Sequence, residues 1–183
     1  MSLSNPAGRA DFAPADHGFI SWSYDPINAA SALIVLTAGR LNLVKLKLAQ
    51  PALVTSIRIM MTTAGGTLTA GQNFAMLFDE SGNRVGVTAD MTTLWGGATG
   101  ELDMPLTAPV QVGGPICYAG FYANGTTLPT FRVSTNTSSV QGNAGLSAAA
   151  SRFGQSTTGL TTTPPATVGT IVGGNYPWWV GLR

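Results

Sequence analysis

Charged side chains are scarce in this sequence: they make up 9% of its 183 residues, against roughly 25% in an average soluble protein. The formal net charge is +1, which is too small to attract nucleic acid or an anionic membrane over long range. An uncharged polar surface suits an isolated monomer poorly, because charges usually keep such proteins soluble. The composition therefore favours a subunit assembled with other chains, and it predicts neither a nucleic-acid nor a membrane partner.

Cysteine and histidine occur once each, as Cys117 and His17. A single cysteine excludes an intramolecular disulfide, and one cysteine with one histidine cannot supply the ligands of a zinc site. His17 has no nucleophile in a Gly-x-Ser-x-Gly turn to activate, and neighbouring carboxylates are not spaced as a glycosidase pair. We therefore expect no catalytic residue, no metal, no cofactor and no enzyme activity, and we expect Cys117 to be a buried apolar side chain.

Long apolar runs are also missing. No stretch approaches the roughly 18 residues that a membrane helix needs, and the first residues lack the basic and apolar regions of a secretory signal. We expect the protein to remain in the cytoplasm of the cell that makes it, or to leave that cell by lysis.

Apolar residues alternate with polar ones along much of the chain, a period-two pattern typical of β-strands. In the run 41–48 the pattern places Lys45 and Lys47 outward. In the run 53–61 it predicts that one face, carrying Leu53, Thr55, Ile57, Ile59 and Met61, points inward. Residues 79–84 are rich in turn formers and predict a hairpin loop.

Strand signals recur roughly every 8–15 residues without helical periodicity, which predicts an all-β fold, an antiparallel β-sandwich of jelly-roll-like type. The run 116–122 is apolar on both faces and predicts a central strand. The predicted organisation is an extended N-terminal arm (1–25), the sandwich (26–133), a long Ser/Thr/Gly-rich polar extension (134–170) and a closing C-terminal strand (171–183).

Aromatic residues are the candidate contact residues. Trp95 lies in a predicted loop, where an exposed indole could stack on a sugar ring, with Trp22 as a second platform. The predicted assembly contacts are large aromatic side chains near the two ends of the chain: Phe12, Phe19, Trp22, Trp178 and Trp179. The alternative is that the tryptophans simply pack the core.

Two segments carry a family resemblance. Residues 73–85 resemble the F-x-x-L-Y-D-x-S-G-x-R-L segment of β-sandwich domains in actinobacteriophage virion proteins. Residues 116–131 are similar to the Y-Y-x-A-x-x-x-N-G-T-T-x-P-T-F segment of the same domains. Asp90, Trp95 and residues 106–109 fall where that pattern would place them, so that the resemblance covers about half of the chain.

The resemblance implies a structural protein of a bacteriophage virion, assembled in the host cytoplasm, and it supplies no catalytic residues. We expect a capsid decoration protein, a homotrimer that binds the major capsid protein through its arms. The alternative is a tail or tail-fibre module that binds a host-surface carbohydrate through Trp95 and Trp22.

Overall fold

The computed structural model describes residues 12–135, 142–173 and 176–183. The strands of the first half are β1 (Ser21–Trp22), β2 (Ala29–Val35), β3 (Asn42–Lys47), β4 (Ala52–Thr63), β5 (Thr67–Leu68), β6 (Phe74–Phe78) and β7 (Arg84–Val87). The strands of the second half are β8 (Gly100–Val112), β9 (Ile116–Tyr122), β10 (Gly125–Thr127), β11 (Thr130–Ser134), β12 (Phe153–Gln155), β13 (Val172–Gly173) and β14 (Val180–Leu182). The helical elements are α1 (Thr92–Gly97) and three 3-10 turns, Pro14–His17, Pro26–Asn28 and Ala148–Ala150.

Two antiparallel sheets make up the molecule. The first has the strand order β1-β14-β4-β11-β2, with β8 on the other side of β4. The second has the order β13-β12-β3-β9-β6-β7, and a small pair, β10-β5, lies apart. A bridge between Thr88 and Leu106 connects the two sheets where β7 meets β8. The predicted all-β, antiparallel β-sandwich is confirmed.

Large aromatic side chains fill the centre of the core between the sheets. Phe131 contacts Trp95, Phe121 and Trp178 edge-to-face, with ring centroids 5.5, 5.6 and 6.4 Å away. Each of these four residues is almost fully buried. Edge-to-face contact sets the positive rim of one ring against the negative face of another, and it stabilises beyond the area buried.

The central strand is β9, as predicted from its two apolar faces. It lies between β3 and β6, and every residue after Ile116 is buried. Cys117 is fully buried in it, and this burial raises the pKa of the thiol to about 12. The prediction of a buried apolar cysteine is confirmed. Of the two lysines predicted to face outward on β3, Lys47 is exposed, whereas Lys45 is half-buried and donates to the Ala150 carbonyl at 2.9 Å.

Strand β4 departs from simple alternation. Ile57, Ile59 and Met61 are buried as predicted, but Leu53 is 54% exposed and Thr55 is also exposed. The physical reason is a β-bulge at Thr55 and Ser56, whose N–H groups both donate to the Arg183 carbonyl. The register between β4 and β8 also shifts here, with the extra residues on β8. A β-bulge adds one residue to one strand and therefore reverses the faces before it.

The segment predicted as a polar extension contributes to the second sheet. Phe153 is buried, and β12 pairs with β3. Residues 156–168, here called the strap, then cross the outer face of that sheet, where a second apolar cluster needs cover. The members of that cluster are Leu41, Leu43, Met76, Phe78, Tyr118, Tyr122 and, from the strap, Val168. Residues 136–141 of the predicted extension lie outside the described residues.

The two ends of the described chain meet in the first sheet. β1 pairs with β14, although its residues belong to the predicted arm. The predicted closing segment 171–183 contains β13 in the second sheet and β14 in the first, and Trp178, Val180 and Leu182 face the core. Residues 1–11 of the arm and residues 174–175 lie outside the described residues. Within the described parts, no helix is long and apolar enough to cross a membrane.

Candidate functional site

The 3-10 turn Pro14–His17 shapes the surface at the N-terminal end of the described chain. Proline opens the turn, where its fixed φ fits and a missing N–H costs nothing. The Asp16 carboxylate accepts a hydrogen bond from the Ala13 N–H at 2.8 Å. Gly18 closes the turn with φ 71°, a left-handed conformation that glycine adopts without steric cost. The turn therefore folds Phe12 back onto His17.

Aromatic rings then follow one another from solvent to interior. Phe12 contacts His17 and His17 contacts Trp22, each pair with ring centroids 5.5 Å apart. Phe19 lies 6.0 Å from Trp22 and 5.7 Å from Trp179. Phe12 is 59% exposed and His17 is exposed, Trp22 is half-buried, and Phe19 and Trp179 are buried. We call the three outer residues, Phe12, His17 and Trp22, the N-terminal aromatic cluster.

Hydrogen bonds to the rest of the sandwich hold this cluster in place. The hydroxyl of Ser21 donates to the Lys47 carbonyl at 2.8 Å, and the indole N–H of Trp179 donates to the Tyr24 carbonyl at 3.1 Å. The Tyr24 hydroxyl donates to the Pro177 carbonyl at 3.0 Å, and burial raises the pKa of that phenol. The cluster is therefore carried on a fixed platform.

A shallow apolar pocket of about 400 Å³ lies beside the cluster. Its walls come from the 3-10 turn and from the end of β3 with the loop after it: Ala13, Pro14, Ala15, Ile20, Lys47, Leu48 and Ala49. The one charged side chain in this lining is Lys47, which is exposed. The pocket and the cluster together present exposed apolar surface, the kind of surface that marks contact with another molecule.

A group of charged residues lies along the first sheet near the cluster. Arg58 on β4 pairs with Glu101 at 3.2 Å and with Asp103 at 3.1 Å, both on β8. The Arg183 guanidinium lies 3.9 Å from Glu101 and 4.5 Å from the centre of the Phe19 ring. The charges here are balanced in pairs, so they add little net field to the apolar surface beside them.

The predicted assembly contacts separate into two groups. Phe12 and Trp22 meet in the cluster, with Phe19 beneath them. Phe19, Trp178 and Trp179 contact their own chain instead of solvent, and burial contradicts their predicted role as contact residues. The physical reason is that Trp178 packs against Phe121 and Phe131 in the core, while Phe19 and Trp179 pack against and cover each other.

The prediction of Trp95 as an exposed stacking platform is wrong. Trp95 lies on α1 instead of in an open loop, and it is fully buried with its ring 5.5 Å from Phe131. A buried indole cannot stack on a sugar. The alternative function, carbohydrate binding, therefore lacks its main predicted stacking residue. Trp22, the second predicted stacking residue, is half-buried.

Asn73 forms the centre of a buried polar network that sequence reasoning did not single out. Its side-chain amide donates to the Thr69 carbonyl and the Thr92 hydroxyl, both at 2.7 Å, and its carbonyl accepts from the Asn124 N–H at 3.0 Å. The Asp90 carboxylate accepts from the Asn73 N–H at 3.1 Å. Asn73 and Asn124 lie in the two segments that carry the family resemblance, and Asp90 lies between those segments at a position that the pattern also matches.

Neither a metal-binding cluster among the described residues nor a known relative indicates a function for this surface. Among the described residues, no three His, Cys, Asp or Glu side chains lie close enough together to hold a metal ion. No protein-family model matches the chain, and no curated protein matches its sequence.

Proposed function

We propose that the protein is a non-enzymatic structural component of a bacteriophage virion that decorates the outside of the capsid. The observation that carries the proposal is the N-terminal aromatic cluster with its apolar pocket, a fixed apolar surface on a sandwich with few charges. Exposed aromatic side chains of this kind are typical of the anchors of protein interfaces.

The virion origin is supported by the two segments that resemble actinobacteriophage virion proteins. These segments form β6, β7 and β9 to β11 together with the Asn73 network. They contribute strands to both sheets and contain none of the cluster residues. Attachment to a particle is therefore assigned to the part of this chain that the resemblance does not cover.

The role in decoration is supported by the position of the cluster. Phe12 and His17 are exposed and lie outside the two sheets, so that they can contact a shell without disturbing the sandwich. The major capsid protein is the proposed partner. The charged residues Lys47 and Arg183 lie at the margins of this surface, so that the proposed contact with the capsid is chiefly apolar.

Deleting all of residues 1–25 would not test this proposal cleanly. That deletion removes β1 from its place beside β14 and uncovers Trp179. The informative variants keep residues 18–25 and change only exposed groups. Phe12→Ala and the double variant Phe12→Ala/His17→Ala meet this condition, since both side chains are exposed.

Binding of purified protein to capsids that lack it measures the contact directly, by co-sedimentation. We expect the double variant to bind at least about tenfold more weakly, because aromatic anchors contribute roughly 2 kcal/mol or more. Tyr176→Ala is the matched control, an exposed aromatic residue outside the cluster, and should bind like the parent. Equal binding of the parent and the double variant would contradict the assignment of the surface.

Immunogold labelling of intact particles tests the location. Label spread over the head is the expected result. Label confined to the tail would overturn the decoration role in favour of a tail module, and the carbohydrate-binding test would then centre on Trp22.

A further inference from the structure

A long connection covers the outer face of the second sheet. Residues 156–171 join β12 to β13 and form no helix or strand of their own. Connections of more than roughly 12–15 such residues are uncommon in compact domains and are usually functional. The strap makes up most of this connection, and to the buried members of the second apolar cluster it contributes Val168. The apolar face beneath the strap therefore depends on a thin, mostly polar cover.

The sandwich holds the strap by the main chain of the strap. Side-chain donors on the sandwich bond to carbonyl groups along its length: Asn124 to Leu160, Tyr122 to Thr161, and Arg84 to Pro164 and Pro165. Backbone N–H groups add two such bonds, from Leu41 to Thr157 and from Arg84 to Ala166. Among the described residues, no hydrogen bond from the sandwich reaches a strap side chain, and the six threonines of the strap are exposed. The face therefore recognises chiefly an extended main chain.

Pro164 and Pro165 pre-organise the strap for this contact. Proline fixes its own φ and restricts the residue before it to an extended conformation. A segment that contains two adjacent prolines therefore loses little conformational entropy when it binds, which is why such segments are common ligands of protein grooves. The Arg84 guanidinium donates to both proline carbonyls, and hydrogen bonds from a charged donor are stronger than those between neutral groups.

An aliphatic side chain anchors the far end of the strap. Val168 is buried, and its N–H donates to the Gly82 carbonyl at 2.9 Å. Thr167, just before it, bridges to Asn83 as in an antiparallel strand pair. A Cβ atom at position 82 would lie 2.6 Å from a methyl carbon of Val168, so glycine leaves the room that the valine fills.

We propose that the outer face of the second sheet is a binding site for extended, proline-containing segments, and that the strap is its internal ligand. The outside occupant is a segment of another protein chain that has two adjacent prolines followed by an aliphatic residue. The strap shows this complement seated on the face. Because the sandwich bonds to main-chain atoms, such a segment can replace the strap without matching its threonines. The proposal is independent of the N-terminal aromatic cluster and of the proposed role in the virion.

A labelled peptide with the sequence of residues 156–168 is the probe. The strap is tethered at both ends and competes at an effective concentration in roughly the millimolar range, so the parent protein should bind the peptide weakly. Pro164→Gly/Pro165→Gly in the protein loosens the strap and leaves the face unchanged. This variant should bind the peptide at least about tenfold more tightly than the parent in fluorescence anisotropy titrations. A peptide with glycine at both proline positions should bind more weakly.

Arg84→Gln, added to the loosened variant, tests the face itself. It removes the side-chain donor to both proline carbonyls and should abolish the gain in affinity. Arg152→Gln is the matched control, since Arg152 donates to the Ser23 carbonyl away from the strap, and it should retain the gain. Equal binding of the peptide by the loosened variant and the parent would overturn the proposal, and so would a gain that Arg84→Gln leaves intact.

Thermal unfolding shows whether each variant remains folded, and the parent protein supplies a test that needs no variant. Excess unlabelled peptide should displace the strap, so that a nonspecific protease cuts within the strap faster, as measured by mass spectrometry of the fragments. The peptide with two glycines should accelerate the cleavage less. A cleavage rate that the proline-containing peptide leaves unchanged would overturn the proposal and make the strap a structural cover alone.

Discussion

Asn73 shows how much of this fold depends on one buried polar side chain. It lies at the start of the hairpin β6–β7 and connects three parts of the chain: the loop before it through Thr69, the start of α1 through Thr92, and the end of β9 through Asn124. Asn73 is fully buried. The Asn124 N–H and the Thr92 hydroxyl lie in a partly buried region and depend on this side chain for a partner, and leaving such groups unpaired is costly.

Replacing Asn73 by alanine should therefore destabilise the protein by about 3 kcal/mol, since it leaves the Asn124 N–H and the Thr92 hydroxyl without this partner. Urea denaturation measures the loss as a lower midpoint at an unchanged slope. Asn28→Ala is the control, because the Asn28 side chain is exposed, and should change stability by less than about 0.5 kcal/mol. A similar effect of both substitutions would show that the network contributes little.

The tryptophans show what a sequence reveals at this scale and what it does not. Trp178 was expected to make an assembly contact, and it faces the core instead. Trp95 and Trp179 were expected to be exposed, and both are buried. The cover of Trp179 comes from Phe19, which is distant in sequence, and the fit of Trp95 depends on Phe131. Contacts between distant residues leave no local pattern to read.

Among the elements, β4 marks the limit of period-two reasoning. The alternation correctly assigned Ile57, Ile59 and Met61 because it continues without interruption over that stretch. It failed at Leu53 and Thr55 because the bulge intervenes. The bulged residues donate from the Thr55 and Ser56 N–H groups to the carbonyl of Arg183, the last residue of the chain. A bulge fixed from so far away cannot be read from β4 alone.

The strap is the segment whose structure departs most from its predicted structure. Its residues are mostly small and polar, so a packed role was not expected. Hydrogen bonds hold it instead: the Tyr122 hydroxyl donates to the Thr161 carbonyl and the Asn124 amide donates to the Leu160 carbonyl, both at 2.7 Å. Arg84 donates to the carbonyls of Pro164 and Pro165. A segment with little apolar surface is thus ordered by donors that the sheet supplies.

Tyr122→Phe removes one of these donors and should loosen the strap before the sandwich unfolds. Burial raises the pKa of the Tyr122 phenol to about 12, so the hydroxyl remains a donor at neutral pH. We expect a loss of about 1 kcal/mol, and about fivefold faster cleavage within the strap by a nonspecific protease, since cleavage follows local opening. The control is Tyr24→Phe, which removes a similar hydroxyl–carbonyl bond elsewhere. Equal cleavage of the strap in both variants would contradict this prediction.

For the molecule as a whole, fold class was the most predictable property and the site the least. The β-sandwich is predictable because apolar and polar residues alternate within each strand, and this local pattern repeats along the chain. The N-terminal aromatic cluster forms because the turn Pro14–His17 folds the chain back on itself, and because Phe19 beneath the cluster packs against Trp179. The sequence identified Phe12 and Trp22 as candidates but passed over His17, which lies between them. The spacing of these aromatic residues indicates candidate contact residues, but it does not predict that the turn brings their rings together.

Low charge makes a further prediction about the assembled particle. If the contact with the capsid is made by the N-terminal aromatic cluster and its pocket, the protein should stay bound in roughly 1 M sodium chloride. The Debye length then falls to about 3 Å, which weakens exposed ion pairs but leaves apolar contact intact. Sedimentation of particles at low and high salt, followed by gel analysis of the pellet, measures the retained fraction. Release at high salt would instead assign the contact to Lys47 and Arg183 at the margins of the surface, and Lys47→Gln would then weaken binding more than Phe12→Ala.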